Sequence, residues 1–513
     1  MVDTKREIER KYESKDSGLP DLTGVPGVAA VVDKGVAHLD ATYYDTADER
    51  LAASSVTLRR RTGGSDAGWH LKLPVAPGVR DEIRAPLSDQ IPRTLAGLVR
   101  SRARDAELTP VVRLVTDRDI HNLVDADGRL LAEVSVDAVH AERLSGTGTG
   151  AAVQWSEIEV ELADDSDPAL LDKIDKRMRK AGVRRSRSAS KLADALTRTL
   201  PGKQRKAERK ARLEAAPPPP PVTAGDHVLA YVRAQRDALV ALDPEVRRDV
   251  PDSVHRMRVA TRRLRSAFRS FGKVLDRSVT DPIGAELKWL AAELGVGRDQ
   301  EVLTERIILA LDELSRPLLA GPVRTRLRTW SHARSGGSRR RLIAVLDGRR
   351  YLALLASLDA LLADPPLRDP AAATGTKPEK VIAKAVRKDF GRVSALVEQA
   401  LGLPPGHDRD LALHEARKEA KRTRYSAEAA TPLLGAPAAA LVRSMKSLQG
   451  LLGDHQDSVM TREALRELAR QAHAAGESGF TYGVLYGREE HRAADDEAAL
   501  PGLWERMRRG PEF

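Results

Sequence analysis

The sequence predicts a two-domain protein, with an α+β N-terminal domain of antiparallel strands followed by an all-α C-terminal domain. Two residue patterns and one breakpoint carry that reading. Up to about residue 200, charged and apolar residues alternate with the period of a strand; after residue 225, Ala, Leu and Arg recur at helical spacing almost to the end. Between them runs PGKQRKAERKARLEAAPPPPPVTAG, a basic stretch leading into five consecutive prolines, Pro217 to Pro221. Such a run favours extended polyproline II and acts as a semi-rigid spacer. The expected division is residues 1–200, a basic, Pro-rich linker at 201–225, a helical domain at 226–500 and a C-terminal tail at 501–513.

With 513 residues, the chain exceeds what one hydrophobic core usually organises. It is 41% hydrophobic and 31% charged, and its 85 Lys and Arg against 74 Asp and Glu leave a formal charge of +11, which suggests a polyanionic partner. No cysteine is present, which excludes disulfides, zinc-thiolate sites and thiol nucleophiles. Any metal site is then built of carboxylates or imidazoles, and hard cations such as Mg2+ suit it best. The opening MVDTKREIERKYE lacks the apolar run of a signal peptide, and nowhere do about 18 consecutive apolar residues occur. A cytoplasmic location with no membrane partner is expected.

Side chains alternate faces along a strand, so every second residue shows what each strand offers to each side. In REIERKY, Glu7, Glu9 and Lys11 share a face; in SVTLRRRT, Thr57, Arg59 and Arg61 lie opposite Val56 and Leu58. In WHLKLP, His70 and Lys72 lie opposite Trp69, Leu71 and Leu73, and in RDEIRA, Arg80, Glu82 and Arg84 oppose Ile83. Glu133 and Asp137 oppose Leu130, Val134 and Val136, and Glu157, Glu159 and Glu161 alternate with Ile158, Val160 and Leu162. A sheet with one solvated face explains any single strand. It does not explain why carboxylates gather on some strands and cations on others. If the sheet closes, acidic strands hold divalent cations through oxygen ligands while Arg and Lys hold phosphate oxygens. Phosphoryl transfer needs this combination of positioning and charge neutralisation.

Glu7-Ile8-Glu9-Arg10-Lys11 resembles the ExExK signature of the CYTH family, the triphosphate tunnel metalloenzymes. It is joined in family order by Tyr44-Asp45-Thr46, Arg59 with Arg61, Lys72, Arg80 with Glu82, Thr116 to Arg118, the Asp137 strand, EIEVEL and a terminal Ser188 to Lys191 segment. The resemblance implies an eight-stranded antiparallel tunnel that binds triphosphate with Mg2+ or Mn2+. It places Glu7, Glu9, Asp137, Glu157 and Glu159 on the metal, with Glu82 and Glu161 as further carboxylates. It places Lys11, Arg59, Arg61, Lys72, Arg118 and Lys191 on phosphate. Glu7, Glu9, Lys11, Arg59, Arg61 and Lys72 are the expected catalytic set. Arg113 falls on the face opposite Arg118, and Arg80 is expected to pair with a carboxylate, so both stay outside the core set.

The C-terminal half repeats itself. His255, Arg258, Arg262 and Arg265 have the same spacing as His414, Arg417, Lys421 and Arg424, on one helical face in each case. LAAELGVGRD from Leu290 matches LQGLLGDHQD from Leu448 at Leu, Leu, Gly and Asp, 158 residues apart. From His255 to Leu275 there are seven Lys or Arg and no acid, so like charges repel along the helix unless an anion lies against them. RTRLRTWSHARSGGSRRR, from Arg324 to Arg341, adds a further basic segment. This half resembles the CHAD domain, which implies a pair of pseudo-symmetric four-helix bundles and affinity for inorganic polyphosphate. The eight repeated residues are the expected polyphosphate contacts, with Arg422 and Tyr425 as additional candidates. His455 departs from Arg298 at the neighbouring repeat position and is left unassigned.

Together the two resemblances match bacterial CYTH-CHAD inorganic triphosphatases. They imply hydrolysis of tripolyphosphate to pyrophosphate and phosphate in the tunnel and polyphosphate binding by the helices. The alternatives are an adenylate cyclase or nucleoside triphosphatase using the same tunnel, and a non-catalytic polyphosphate-binding protein. No helix-turn-helix or RNA-recognition signature is visible, so no nucleic-acid partner is expected, and the sequence names no protein partner.

Overall fold

The computed structural model describes residues 3–14, 18–188, 190–202, 220–335, 337–368 and 377–511. Most of the expected linker, 203–219, lies outside them. The chain forms two compact units, Met1–Pro219 and Pro220–Phe513.

Strands β1 (Asp3–Glu13), β2 (Ala30–Asp45), β3 (Thr57–Thr62), β4 (Gly68–Ala76), β5 (Val79–Ala85), β6 (Thr109–Val124), β7 (Leu130–Arg143) and β8 (Ala152–Leu162) pair in the order β5-β4-β3-β2-β6-β7-β8-β1. β1 also pairs with β5, through Asp3 to Ile8, while its Glu9 to Glu13 segment pairs with β8. The sheet is thus a closed antiparallel barrel of eight strands, with a short β9 (Arg184–Arg185) set against β1. Closure removes the free edges that an open sheet would expose.

The period-2 pattern explains what covers the barrel. The outward residues Val56, Leu58, Trp69, Leu71 and Ile83 pack with Leu95, Leu98 and Val99 of helix α2 (Arg93–Ala103). Tyr12, Ile158 and Val160 pack with Leu171, Ile174 and Met178 of α3 (Ala169–Lys180). The inward face is charged only over part of its length. Tyr43 lines the bore, and at its end Ala41, Tyr43, Val112, Leu114, Val139 and Ala141 form an apolar cluster with Leu192, Ala195 and Leu196 of α4 (Lys191–Arg198). This helix stoppers the barrel. Ser190 caps it, accepting a hydrogen bond from Ala193 N at 3.1 Å.

The second unit is helical. Its first half contains α5 (Ala224–Arg247), α6 (Ser253–Ser270), α7 (Arg277–Glu293), α8 (Val296–Asp312), α9 (Val323–Ser335), α10 (Ser338–Asp347) and α11 (Arg349–Ala363). Its second half contains α12 (Pro378–Gly402), α13 (His407–Leu434), α14 (Ala436–Ala474) and α15 (Phe480–Glu505). The repeat is visible as α5 and α6 against α12 and α13, and as α7 and α8, broken at Leu294 and Gly295, against the continuous α14. A Thr223 capping box starts α5: Thr223 Oγ1 accepts from Asp226 N at 3.1 Å while Asp226 Oδ2 accepts from Thr223 N at 2.8 Å. The helix therefore begins inside the segment expected as linker, and α15 runs past residue 500 into the expected tail. α6 and α13 pack together through small buried residues, among them Ala260, Ala416 and Ala420, and Arg263 joins them by an ion pair to Glu428 at 2.9 Å.

Candidate active site and anion groove

Strand register sets the tunnel's chemistry. Arg118 on β6 stands abreast of Asp137 on β7, and Asp137 abreast of Glu157 on β8. Lys11 faces Glu159 across β1 and β8, and Lys72 faces Glu82 across β4 and β5. Asp137, Glu159 and Glu82 thus each meet a cation by strand pairing, whereas Glu157 stands between the acids Asp137 and Glu13. The bore encloses about 300 Å³.

At one wall Asp137, Glu157 and Glu159 offer carboxylate oxygens within 4.8 Å of one another. Asp137 is fully buried. Arg118 clamps it with Nε to Oδ1 at 2.8 Å and Nη2 to Oδ2 at 2.7 Å, and also reaches Glu159 Oε2 at 2.7 Å. Lys191 Nζ, at the start of α4, lies 2.8 Å from Asp137, 2.8 Å from Glu157 and 2.5 Å from Glu159. Burial disfavours its ammonium, but the three carboxylates outweigh that and hold its pKa raised. Burial likewise works against the Glu159 carboxylate, yet Lys11, Lys191 and Arg118 keep it well below the usual range.

Lysine and arginine thus stand where a metal would, among hard oxygen donors. Glu157 Oε1 is buried and has no aligned hydrogen-bond donor, although Lys191 Nζ is at ion-pair distance. An all-carboxylate donor set of this kind fits a hard divalent cation such as Mg2+ or Mn2+. Of the five carboxylates expected on the metal side, the structure brings these three together. Glu7 lies instead 2.6 Å from Lys72 Nζ, and Glu9 lies 3.7 Å from Lys11 and 3.8 Å from Arg80. Burial pushes the Glu7 carboxyl up to about 7.

The opposite wall is cationic. Arg59, Arg61 and Lys72 line it as the alternation requires, with Arg80 and Arg84 beside them. Arg80, kept out of the core set as the partner of a carboxylate, lies 3.8 Å from Glu9 and also lines the bore. Arg61 pairs with Asp66. Burial and the neighbouring Arg59 and Arg118 lower the Arg61 pKa to about 9. Arg113 points outward and binds Asp40 through two hydrogen bonds of 3.0 and 2.6 Å. Asp45 of the Tyr44-Asp45-Thr46 motif is not in the tunnel lining: its carboxylate accepts from the backbone N–H of Thr46, Leu51 and Ala52 at 2.7, 2.9 and 2.8 Å, pinning the short helix α1 (Arg50–Ala53).

In the helical unit, α6 and α13 border a groove of about 850 Å³. His255, Arg258, Arg262, Arg265, His414, Arg417 and Lys421 line it. Arg424 does not; it turns to Glu428 at 3.5 Å and over the Tyr425 ring, 4.9 Å from its centroid. Its repeat counterpart Arg265 has Arg269, not an acid, one turn on, so no such pair forms there. Arg422 and Tyr425 do line the groove, as do Arg269, Lys288 and Arg306, which the repeat alone did not mark. The two halves each carry one Arg–Asp pair: Arg258 holds Asp299 at 2.5 and 3.0 Å, and Arg417 faces Asp457 at 3.9 Å. The described lining has ten Lys and Arg against four acids. Burial and the nearby Arg417 and Arg262 accordingly lower the Lys421 pKa to about 7. Among the described residues no helix is long and apolar enough to cross a membrane.

The CYTH domain model matches residues 5–195 and the CHAD domain model residues 230–466. Two uncharacterized proteins of Mycobacterium tuberculosis, from strains CDC 1551 and H37Rv, are each 39% identical over 98% of this chain and 97% of their own length. Solved structures with similarity include PptA from Streptomyces chartreusis, with 22% identity, 55% of this chain and 99% of that one covered, and a TM-score of 0.47. The CHAD domain from the plant Ricinus communis is 25% identical, with 55% and 89% covered and a TM-score of 0.39. With both domains matched in order and relatives aligned end to end, the chain belongs to the family of proteins that join a CYTH tunnel domain to a CHAD domain.

Proposed function

We propose that the tunnel is an inorganic triphosphatase, hydrolysing tripolyphosphate to pyrophosphate and phosphate, and that the helical groove binds longer polyphosphate. The observation that carries this reading is the Asp137–Glu157–Glu159 cluster, whose Glu159 shares one bore lining with Arg59, Arg61 and Lys72. Asp137, Glu157 and Glu159 would hold Mg2+ or Mn2+, which when bound polarises a phosphoryl oxygen and lowers the pKa of water. Arg59, Arg61, Lys72 and Arg118 bind the phosphate oxygens and spread the charge that builds on them. Lys11, 2.5 Å from Glu159, and Lys191 exchange carboxylate partners for phosphate oxygens when substrate enters. The bore's aromatic member, Tyr43, is engaged by Arg59 through a hydrogen bond of 3.2 Å to its hydroxyl, which favours a bare phosphate chain over a nucleotide.

The test is a substrate panel of pyrophosphate, tripolyphosphate, long polyphosphate and ATP with Mg2+ or Mn2+, reading phosphate release and cyclic AMP. Tripolyphosphate should be the preferred substrate, and Glu159→Gln should lose about a hundredfold in rate. Absence of release by the wild type, or undiminished release by Glu159→Gln, refutes the tunnel reading. For the groove, long polyphosphate should displace duplex DNA at low concentration; equal competition by DNA refutes it.

A further inference from the structure

A second constellation of ligand-type side chains lies in the helical unit, outside the groove lining. Asp410 of α13, His455 of α14 and Glu497 of α15 place one oxygen or nitrogen each within 4.8 Å of one another. His455 is 2% exposed, and its Nε2 lies 3.3 Å from Asp410 Oδ1 and 3.3 Å from Glu497 Oε1. That spacing exceeds the usual N–H···O separation of about 2.9 Å. It matches the edge of a tetrahedron whose ligands stand about 2.1 Å from a central zinc, roughly 3.4 Å.

The far oxygen of each carboxylate is turned to an arginine. Glu497 Oε2 lies 3.1 Å from Arg409 Nη1, and Asp410 Oδ2 lies 3.7 Å from Arg462 Nη2. Each acid therefore keeps one oxygen for His455 while its other side is held by a second residue, as around a metal ligand. The side chains of Asp410 and Glu497 remain 20% and 15% exposed, leaving a route for an ion and a coordination position for water. The constellation is also absent from the repeat. At the equivalent positions the first half has Pro251 for Asp410 and Gly297 for His455. Glu497 lies beyond the residues that the CHAD model matches. The triad is thus a property of the second half alone and not part of the doubled cationic surface.

We propose that Asp410, His455 and Glu497 form a site for a divalent transition metal of the Zn2+ class, which clips α13, α14 and α15 together. The donor set of one imidazole and two carboxylates suits such an ion and leaves a fourth position for water. Gln456 and Asp457, the next residues of α14, line the anion groove, so the clip fixes the segment that supplies them.

The test is Zn2+ titration of the full chain by calorimetry, with Mg2+ in large excess to fill the tunnel carboxylates. Co2+ substitution provides an optical readout. Wild type should take up one equivalent of Zn2+ and show the visible d–d band of tetrahedral Co2+. His455→Ala should lose both signals, and Arg409→Met, which touches only the outer oxygen of Glu497, should weaken Zn2+ about tenfold or more. Glu497→Gln serves as the second ligand variant should His455→Ala fail to fold. Absence of Zn2+ uptake by the wild type overturns the proposal and leaves the triad as a cluster of side chains that hold one another without an ion. Unchanged stoichiometry and affinity in the folded ligand variant overturns it equally.

Discussion

The guanidinium of Arg417 lies against Gly453, so close that a Cβ at that position would meet its Nη2 at 3.2 Å. The first half repeats the relationship, with Arg258 Cζ 3.0 Å from where a Cβ of Gly295 would stand. This accounts for the glycine in the two Leu-Leu-Gly-Asp repeats: glycine clears the space for the arginine, and the aspartate four residues on faces it. Gly453 lies inside α14, where glycine costs about 0.8–1.0 kcal/mol relative to alanine. Gly453→Ala is therefore expected to raise the melting temperature of the helical unit while weakening polyphosphate binding about three- to tenfold, the loss of part of one charge-assisted contact. Calorimetry and a binding titration on the same sample check both directions.

Lys421 gives the groove a pH dependence of defined sign. Burial and the facing Arg417 and Arg262 lower its pKa to about 7, and a polyanion in the groove would reverse the effect of those like charges. Above pH 7 the free protein has lost the proton that the complex holds, so binding takes one up. The contribution of Lys421 to affinity is then flat below pH 7 and falls as pH rises above it, by at most about tenfold per pH unit. Titrations in buffers of different ionisation enthalpy should show proton uptake at pH 8, and Lys421→Arg should abolish it. A pH-independent affinity in the wild type would contradict the assignment.

At the tunnel wall, Lys191 and the divalent cation compete for the same oxygens. Lys191→Met removes the ammonium that lies within 2.8 Å of Asp137, Glu157 and Glu159. A buried carboxylate cluster that loses a counter-charge is destabilised by about 3–5 kcal/mol. A bound divalent cation restores the charge and stabilises by mass action. The variant is expected to melt well below wild type in chelator and to recover most of the difference in millimolar Mg2+, whereas wild type changes less. Thermal unfolding with and without metal measures it.

The tunnel walls were legible because side-chain parity in a strand is local: Glu7, Glu9, Lys11, Arg59, Arg61 and Lys72 take their faces whatever the sheet does next. Closure through β1 and β5 came from the family resemblance and not from the alternation, since it depends on pairing between Asp3–Ile8 and Val79–Arg84, which no local pattern encodes. Nor was the stopper legible: the spacing of Leu192 and Leu196 is that of any amphipathic helix, and only the apolar patch of Tyr43, Val112 and Leu114 inside the bore shows where it goes. In the helical half, seven of the eight residues marked by the spacing line the groove. Arg424 failed the repeat because Glu428 captures it, a competition that spacing alone does not express.

Asp45 separates motif from mechanism. It belongs to the Tyr44-Asp45-Thr46 match, yet it is fully buried and gives both carboxylate oxygens to backbone N–H groups of Thr46, Leu51 and Ala52. Burial pushes its pKa up and the three donors pull it back, with the net result above the usual carboxylate value. Replacing it with leucine would strand those donors in a dry site, at about 1–3 kcal/mol for each one left unsatisfied. Asp45→Leu is expected to destabilise the barrel by at least about 2 kcal/mol. Asp45→Asn retains one acceptor oxygen and should cost less. If the residue acts only through this anchor, tripolyphosphate KM and kcat per folded molecule stay unchanged in Asp45→Asn. A selective fall in kcat at full folding would instead give Asp45 a role in the chemistry. Denaturant unfolding and steady-state kinetics on the same preparations separate the two outcomes.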